Sequence, residues 1–379
     1  MKFEPYPFEK LNNLLQGIVP NAAYKPAVLT IGEPQFETPL FIQDALSSNA
    51  NLLKKYPKTT GEESLRDALI AFNKKRFNVT LSNTQIIPTF GTREVLFNFP
   101  QFLLFDKENP VMAYTNPFYQ IYEGAALASR AKVIHLNLSE QNNYKPLIDE
   151  QQLSVCDLVI LNFPNNPTMT TLSIEELAHW VELSLKYDFV LLNDECYSEI
   201  YTDTPPPSLL EAALFCGNTT FKNTLVINSI SKRSSAPGLR SGFIAGDAEI
   251  LEGYMQYRTY VGCASPLPLQ SAAAEAWSDE AHVAASRETY KNNFKIAEEI
   301  LGITPPKATF YLWIKVENAL AFTQKLYERY NVKVLPGEYL ARADEEGENP
   351  GLDYIRIALV EDETSTRDAL MRIKECLNA

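Results

Sequence analysis

Lys232 lies in SISKRSSAPGLRSGF (229–243), close after Ser229 and Ser231 and ahead of a Pro-Gly bend that leads to Arg240. A lysine becomes a nucleophile only after losing its proton, which burial or a neighbouring cation promotes. Arg240 carries a planar fork that suits a phosphate, and Gly238 gives the bend its backbone freedom. The segment therefore fits a reactive amine beside an anion-bearing ligand, the plainer alternative being a surface lysine. Two other apolar runs end in polar clusters. Asn165-Asn166-Pro167 follows DLVILNF, and Asp194-Glu195-Cys196-Tyr197 follows FVLLN. Taken singly, Asn-Pro reads as a turn and Asp as a helix cap. Three different polar chemistries at three such ends point together to one site.

Two further anion sites stand apart from these. Gly91 and Thr92 in FGTREVLFN open a helical stretch whose first N–H groups are free to bind phosphate. The motif is neither GxGxxG nor GxxxxGK[ST], which disfavours nicotinamide dinucleotide and P-loop nucleotide sites. Arg356 sits inside the apolar run YIRIALV, where an unpaired charge is costly, so an anion partner is expected.

The elements that must hold these residues alternate. From about residue 85, VMAY, KVIHLNL, DLVILNF, FVLLND, TLVINSI and GFIAGD are short β-rich runs separated by helical patterns. LVILNF and FVLLN are apolar at consecutive positions, as in a parallel sheet covered on both faces. Ser173 and Glu176 form a capping box ahead of the helical stretch ending at Tyr187. This pattern predicts an α/β layered fold, with ligands beyond the carboxyl ends of its strands. The C-terminal third predicts an α+β module: a long helical stretch near 270–302, then FYLWIKV, a helix, VKVLPG, YIRIALV and a last helix near 363–377. The boundary is placed near residue 270. PPP (205–207) and ADEEGENPG (343–351) read as exposed loops.

Bulk properties narrow the class. The chain has 379 residues and a net charge of −13, which disfavours nucleic acid and anionic membrane as partners. Only about thirty residues precede IGEP and the chain as a whole is acidic, which disfavours an N-terminal basic DNA-binding module. Five separate cysteines with no CxxC pair predict reduced thiols and a cytoplasmic setting. His135, His179 and His282 are far apart, so no metal site is expected. MKFEPYPFEK does not read as a signal peptide, and no apolar run reaches the roughly 20 residues of a membrane helix.

PNNPT (164–168), DECY (194–197) and SISKRSSAPGLRSGF together resemble the class I/II aminotransferases of fold type I, which use pyridoxal 5′-phosphate (PLP). The resemblance implies a large PLP-binding domain over 34–270 with a mixed, mostly parallel sheet. Residues 1–33 and 271–379 would form a smaller α+β domain. It makes Lys232 the covalent anchor of PLP and Asp194 the partner of the pyridinium nitrogen. Asn166 and Tyr197 would contact the ring's 3′ oxygen, and Tyr119 in NPFYQIYEG would stack on the ring. Ser229, Ser231, Arg240 and the Gly91-Thr92 turn would bind phosphate. Arg356, with Gly32 of LTIGEP and Asn166, would receive the substrate α-carboxylate. Tyr56 of KYPKTTG would reach the phosphate of a neighbouring subunit, which implies a homodimer with shared sites.

Within that family, IGEPQFETP, KYPKTTGEESLRDALIAF, FGTREVLF, SKRSSAPGLRSGFIAGD and LPGEYLAR look like the N-succinyldiaminopimelate aminotransferases of bacterial lysine synthesis. The implied reaction runs between N-succinyl-LL-2,6-diaminopimelate and 2-oxoglutarate. Aminotransferases with aspartate, acylornithine or broad specificity remain alternatives, and PLP β-lyases share the cofactor residues. Two positions depart from the pattern. Met169 replaces the glycine of the usual NPTG, and Arg93 stands where many relatives carry Ser or Thr, open to either a phosphate or a distal substrate carboxylate.

Overall fold

The computed structural model describes residues 3–344 and 347–379. The loop expected at 343–351 therefore includes two residues, 345 and 346, outside the described ones, as do the first two of the N-terminal segment. Seven strands form the main sheet: β1 (Ile86–Thr89), β2 (Val111–Asn116), β3 (Lys132–Asn137), β4 (Leu158–Leu161), β5 (Val190–Asp194), β6 (Thr224–Ser229) and β7 (Gly242–Gly246). Their spatial order is β1-β7-β6-β5-β4-β2-β3. β7 is antiparallel to both its neighbours, and the other pairs are parallel. The sheet is thus mixed and mostly parallel, the α/β arrangement of fold type I.

Consecutive apolar residues are explained by two buried faces. Leu191 belongs to a cluster with Leu69, Phe72, Val181 and Trp277, whereas Leu192 packs with Leu96, Phe99, Tyr122 and Tyr254 on the other side. Successive strand side chains point oppositely, so each face needs its own apolar set. Helices supply the cover: α1 (Pro7–Leu14), α2 (Glu63–Phe77), α3 (Thr92–Leu103), α4 (Ile121–Ala128), α5 (Ile174–Tyr187), α6 (Leu267–Ser278), α7 (Ala281–Leu301) and α8 (Glu363–Asn378) are the ones used below. The expected capping box opens α5, with Ser173 N donating to Glu176 Oε2 at 2.9 Å and Glu176 N to Ser173 Oγ at 3.3 Å.

The helical stretch expected near 270–302 is two helices. Asp279 turns extended, and its Oδ1 accepts from His282 N at 3.1 Å, so a new helix starts there. The boundary placed near residue 270 falls inside α6. That helix buries Ala272, Ala273, Ala276 and Trp277 against Phe72 and Phe243 of the main core, so its packing goes with the large sheet.

The second layer is a three-stranded antiparallel sheet of β8 (Tyr311–Lys315), β9 (Leu335–Pro336) and β10 (Tyr354–Ala358), ordered β9-β10-β8. α7 and α8 pack on it around Leu312, Ile355, Ile357 and Leu370. Arg356 lies in its central strand, paired in register with Leu335 and Trp313. The chain also returns from its N-terminal side, where Ala27–Val28 runs parallel to Val332–Lys333. This return brings Thr30 and Gly32 to the edge where the two layers meet.

Candidate active site

Three adjacent central strands, β4, β5 and β6, end at the same level, with Leu161 opposite Asn193 and Asp194 opposite Ile227. Their carboxyl ends open into a cavity of about 790 Å³. Gly32, Thr92, Arg93, Tyr119, Asn166, Asp194, Tyr197, Ser229, Ser231, Lys232, Arg240 and Arg356 all line it. Residues as far apart in the chain as Gly32 and Arg356 are thereby in one chamber. Two expected site residues lie elsewhere. Gly91 sits against Arg240 outside the lining, and Tyr56 is fully exposed on the surface of this chain.

Lys232 is in the single helical turn Ile230–Arg233 that follows β6. Its Nζ donates to the carbonyl of Gly32 and lies 5.9 Å from the centre of the Phe310 ring. Burial, the largest cause, lowers its pKa to about 8, and Arg356 and Arg240 push the same way. Near neutral pH roughly a tenth of such an amine is already unprotonated.

Asp194 is almost wholly buried (4 % exposed). Its Oδ2 accepts from Tyr122 Oη at 2.9 Å and its Oδ1 from Cys196 N at 3.2 Å. Both donors are neutral, and burial raises the carboxyl's pKa. A carboxylate kept at a strand end without a cation beside it suits a cationic ring nitrogen arriving with a ligand.

The opposite wall is an anion cup. No side chain caps the N-terminus of α3, so its first N–H groups are available. Arg240 donates only to carbonyls, Pro237 O at 2.7 Å and Phe90 O at 3.5 Å. Ser229 Oγ is held in place by accepting from Ser231 N at 3.2 Å. Gly91 makes the cup possible: its φ is +74°, and a Cβ there would stand 2.3 Å from Arg240 Nη2. Gly91→Ala is expected to weaken PLP binding at least about tenfold, from strain of order 1–3 kcal/mol and a displaced guanidinium. A cofactor titration of the apo protein checks this, and unchanged affinity would remove the cup from the reading.

Arg356 enters from the second layer, 4 % exposed. Nη1 donates to Asn166 Oδ1 at 2.9 Å, Nη2 donates to Thr30 O at 2.7 Å, and the guanidinium lies 4.4 Å from the Tyr311 ring centre. Its Nε is buried without a partner. A charged fork held only by neutral acceptors is ready for a carboxylate. Tyr197 Oη is 3.0 Å from Tyr311 Oη, and burial drives the Tyr197 pKa well above its usual value. Arg93 donates to Tyr119 Oη at 2.9 and 2.7 Å.

Four neighbours escaped the sequence reading. Asn162 donates to Asp194 O at 3.0 Å, and its Oδ1 accepts from Asn166 N at 3.1 Å, fixing two site residues at once. It stands at the end of the same apolar run as Asn166, which was its available signal. Tyr122 lies three residues beyond Tyr119, one helical turn on. Tyr311 and Thr30 carry no local signal, since only the fold brings them to Arg356.

The motif-level and geometric features agree with the comparisons. A family model described as aminotransferase class I and II matches residues 25–369. The chain belongs to this family. A crystal structure of the aminotransferase AspB from Helicobacter pylori is 51% identical with a TM-score of 0.96, and the match covers 100% of both chains. A putative aminotransferase, AatC, from Rhizobium meliloti is 30% identical over 100% of this chain and 94% of the relative. An LL-diaminopimelate aminotransferase from Nostoc is 27% identical over 99% of this chain and 96% of the relative.

The protein is therefore a PLP-dependent aminotransferase, passing an amino group from a donor to a 2-oxo acid. The residues lining the chamber fit that cofactor: an amine with lowered pKa, a buried carboxylate lacking a cation, and an open anion cup. Among the described residues, no helix is long and apolar enough to cross a membrane.

Proposed function

We propose that this aminotransferase acts on N-succinyl-LL-2,6-diaminopimelate with 2-oxoglutarate as acceptor, in diaminopimelate and lysine biosynthesis. The observation that carries the chemistry is the meeting of Lys232, Asp194 and Arg356 in one chamber. The substrate assignment is supported by the sequence motifs and by the likeness to an LL-diaminopimelate aminotransferase.

Bound PLP supplies an electron sink for the pair left on the donor Cα. Asp194 holds a proton on the ring nitrogen by charge, and Asn166 and Tyr197 hold the ring's 3′ oxygen. Ser229, Ser231, Arg240 and the Gly91-Thr92 turn receive the phosphate, and Tyr119 covers one ring face. Arg356 grips the donor α-carboxylate beside Gly32 and so aims the Cα–H bond at Lys232. Lys232 Nζ, in its unprotonated form, would accept the proton from the donor Cα and hold it for return to the cofactor side of the site. The lowered amine pKa suits both directions of the transfer.

The proposed assembly is a homodimer in which Tyr56, wholly exposed here, reaches the partner's phosphate site. The cytoplasmic assignment is supported by five free cysteines.

Donors added singly to the PLP form without acceptor test the substrate. Conversion of the bound cofactor to its amine form is expected at far lower concentration of N-succinyl-diaminopimelate than of aspartate or acetylornithine. Preference for either of the latter overturns the substrate and leaves the transamination reading intact.

A further inference from the structure

Glu94 is an acid placed where an anion is to be received. It stands in the first turn of α3, three residues after Gly91, and belongs to the chamber lining. A carboxylate there favours the positive end of a free helix, but it also competes with a phosphate for that end and repels it. The reading above gives the cup one cation, Arg240, and leaves this acid unaccounted for.

Arg258 meets it from behind. The residue lies in the helix Ala248–Val261 and is fully buried. Its Nε donates to Glu94 Oε1 at 2.7 Å and its Nη2 to Glu94 Oε2 at 3.2 Å, a two-pronged pair. Nη1 donates to the carbonyl of Thr59 at 3.2 Å, in the segment that carries Tyr56. All three guanidinium nitrogens are thus engaged by the protein, so Arg258 does not itself offer a fork to a phosphate.

The pair reaches the cup through Phe90. Phe90 N donates to Glu94 Oε2 at 2.7 Å, and Phe90 O accepts from Arg240 Nη2 at 3.5 Å. Between that carbonyl and α3 stands Gly91, whose left-handed backbone lies against the Arg240 guanidinium. Arg258, Glu94, Phe90 and Arg240 therefore form one hydrogen-bonded chain that ends on the cation of the cup. A buried ion pair adds little to stability over an apolar pair of the same shape, so fold stability alone does not account for this one.

We propose that Arg258 is a positioning residue for cofactor binding. It neutralises Glu94, so that the start of α3 can receive a phosphate, while the Glu94 carboxylate keeps Phe90, and through it Arg240, in place. Glu94 fixes the shape of the cup, and Arg258 corrects the charge that this shape brings with it. The proposal rests on reading the Gly91-Thr92 turn with Arg240 as the phosphate site. It has a distinctive consequence: breaking the same ion pair from its two sides should act differently on phosphate binding.

The test titrates the apo protein with PLP and with pyridoxal, which lacks only the phosphate, so no turnover is needed. In Arg258→Met the unneutralised carboxylate should raise the Kd of PLP roughly thirtyfold, and that of pyridoxal by less than about threefold. Glu94→Gln keeps an acceptor for Phe90 N and leaves a cation behind the cup, so PLP should bind within about threefold of the wild type. Arg258→Lys, which keeps the charge without the fork, should fall between the wild type and Arg258→Met. Should Arg258→Met not fold, the double variant Glu94→Gln with Arg258→Met, which buries neither charge alone, takes its place and should bind PLP within about threefold of the wild type. Equal PLP losses in Arg258→Met and Glu94→Gln overturn the proposal, as does a PLP loss in the double variant or a loss shared equally by PLP and pyridoxal. The pair is then structural only. A wild type that binds PLP no more tightly than pyridoxal overturns the cup itself, which is the failure of the underlying reading.

Discussion

Replacing Lys232 by alanine is expected to lower transamination roughly 10⁴-fold, combining loss of the covalent anchor with loss of the group that moves the α-proton. The fold should persist, because the side chain's one hydrogen bond, to Gly32 O, lies in the chamber and not in the core. PLP uptake should persist too, weakened, since the Ser229, Arg240 and Asp194 contacts do not involve Lys232. Borohydride treatment followed by peptide mass measurement separates the two roles. It should fix the cofactor on the wild-type peptide carrying Lys232 and leave the variant unlabelled. Near-parental turnover in the variant would sink the assignment.

The same residue gives a pH dependence with a definite sign. Burial lowers the Lys232 pKa to about 8, from the ordinary lysine value of 10.5. The reactive form is the unprotonated one, so its fraction in the apo protein rises as pH passes from 7 through 8 and levels above that. The rate of PLP capture should follow this rise. A rate still climbing steeply between pH 9 and 10 would mean an amine with an unperturbed pKa.

The ligand-facing ends of β4, β5 and β6 were legible in the sequence for a physical reason. A strand buried on both faces is apolar along most of its length, so the cluster of polar residues that closes the run marks the rim where ligands sit. Asn166, Asp194 and Ser229 each follow such a run, and so does Asn162. Arg356 was legible from its cost, as a charge inside an apolar strand. Its partners were not, since Thr30 and Asn166 are 326 and 190 residues away in the chain. Tyr311 was equally hidden: FYLWIKV reads as a strand whichever face carries the aromatic ring. Tyr56 is wholly exposed, and nothing in its own chain marks it as a site residue; its place at a neighbouring subunit's phosphate is a proposal. Met169 is instructive in another way. It adopts φ +65°, the left-handed conformation a glycine would take at low cost, and its side chain packs against two apolar clusters, one around the second sheet and one around Tyr197, Phe310 and Tyr311. The turn is kept by its surroundings, chiefly the Asn165 and Thr168 hydrogen bonds, without the glycine.

The second large effect concerns Arg356. Arg356→Gln should lower kcat/KM for every amino donor by about 3 kcal/mol, on the order of a hundredfold, because a desolvated carboxylate loses its charged partner. The loss should fall on mono- and dicarboxylic donors alike, since both carry the α-carboxylate. Part of the penalty is already present without substrate. Thr30 O and Asn166 Oδ1 accept from Arg356 in the free protein, so glutamine leaves one of them short of a donor, and Asn166 loses a contact that fixes its side chain. Arg356→Lys tests geometry apart from charge. Lysine keeps the charge but has no planar fork, and it cannot bridge Thr30, Asn166 and a carboxylate together, so it should recover only part of the activity. Full recovery by lysine would mean that Arg356 acts as a point charge and that the two-point grip on the α-carboxylate, which aims the Cα–H bond at Lys232, is wrong.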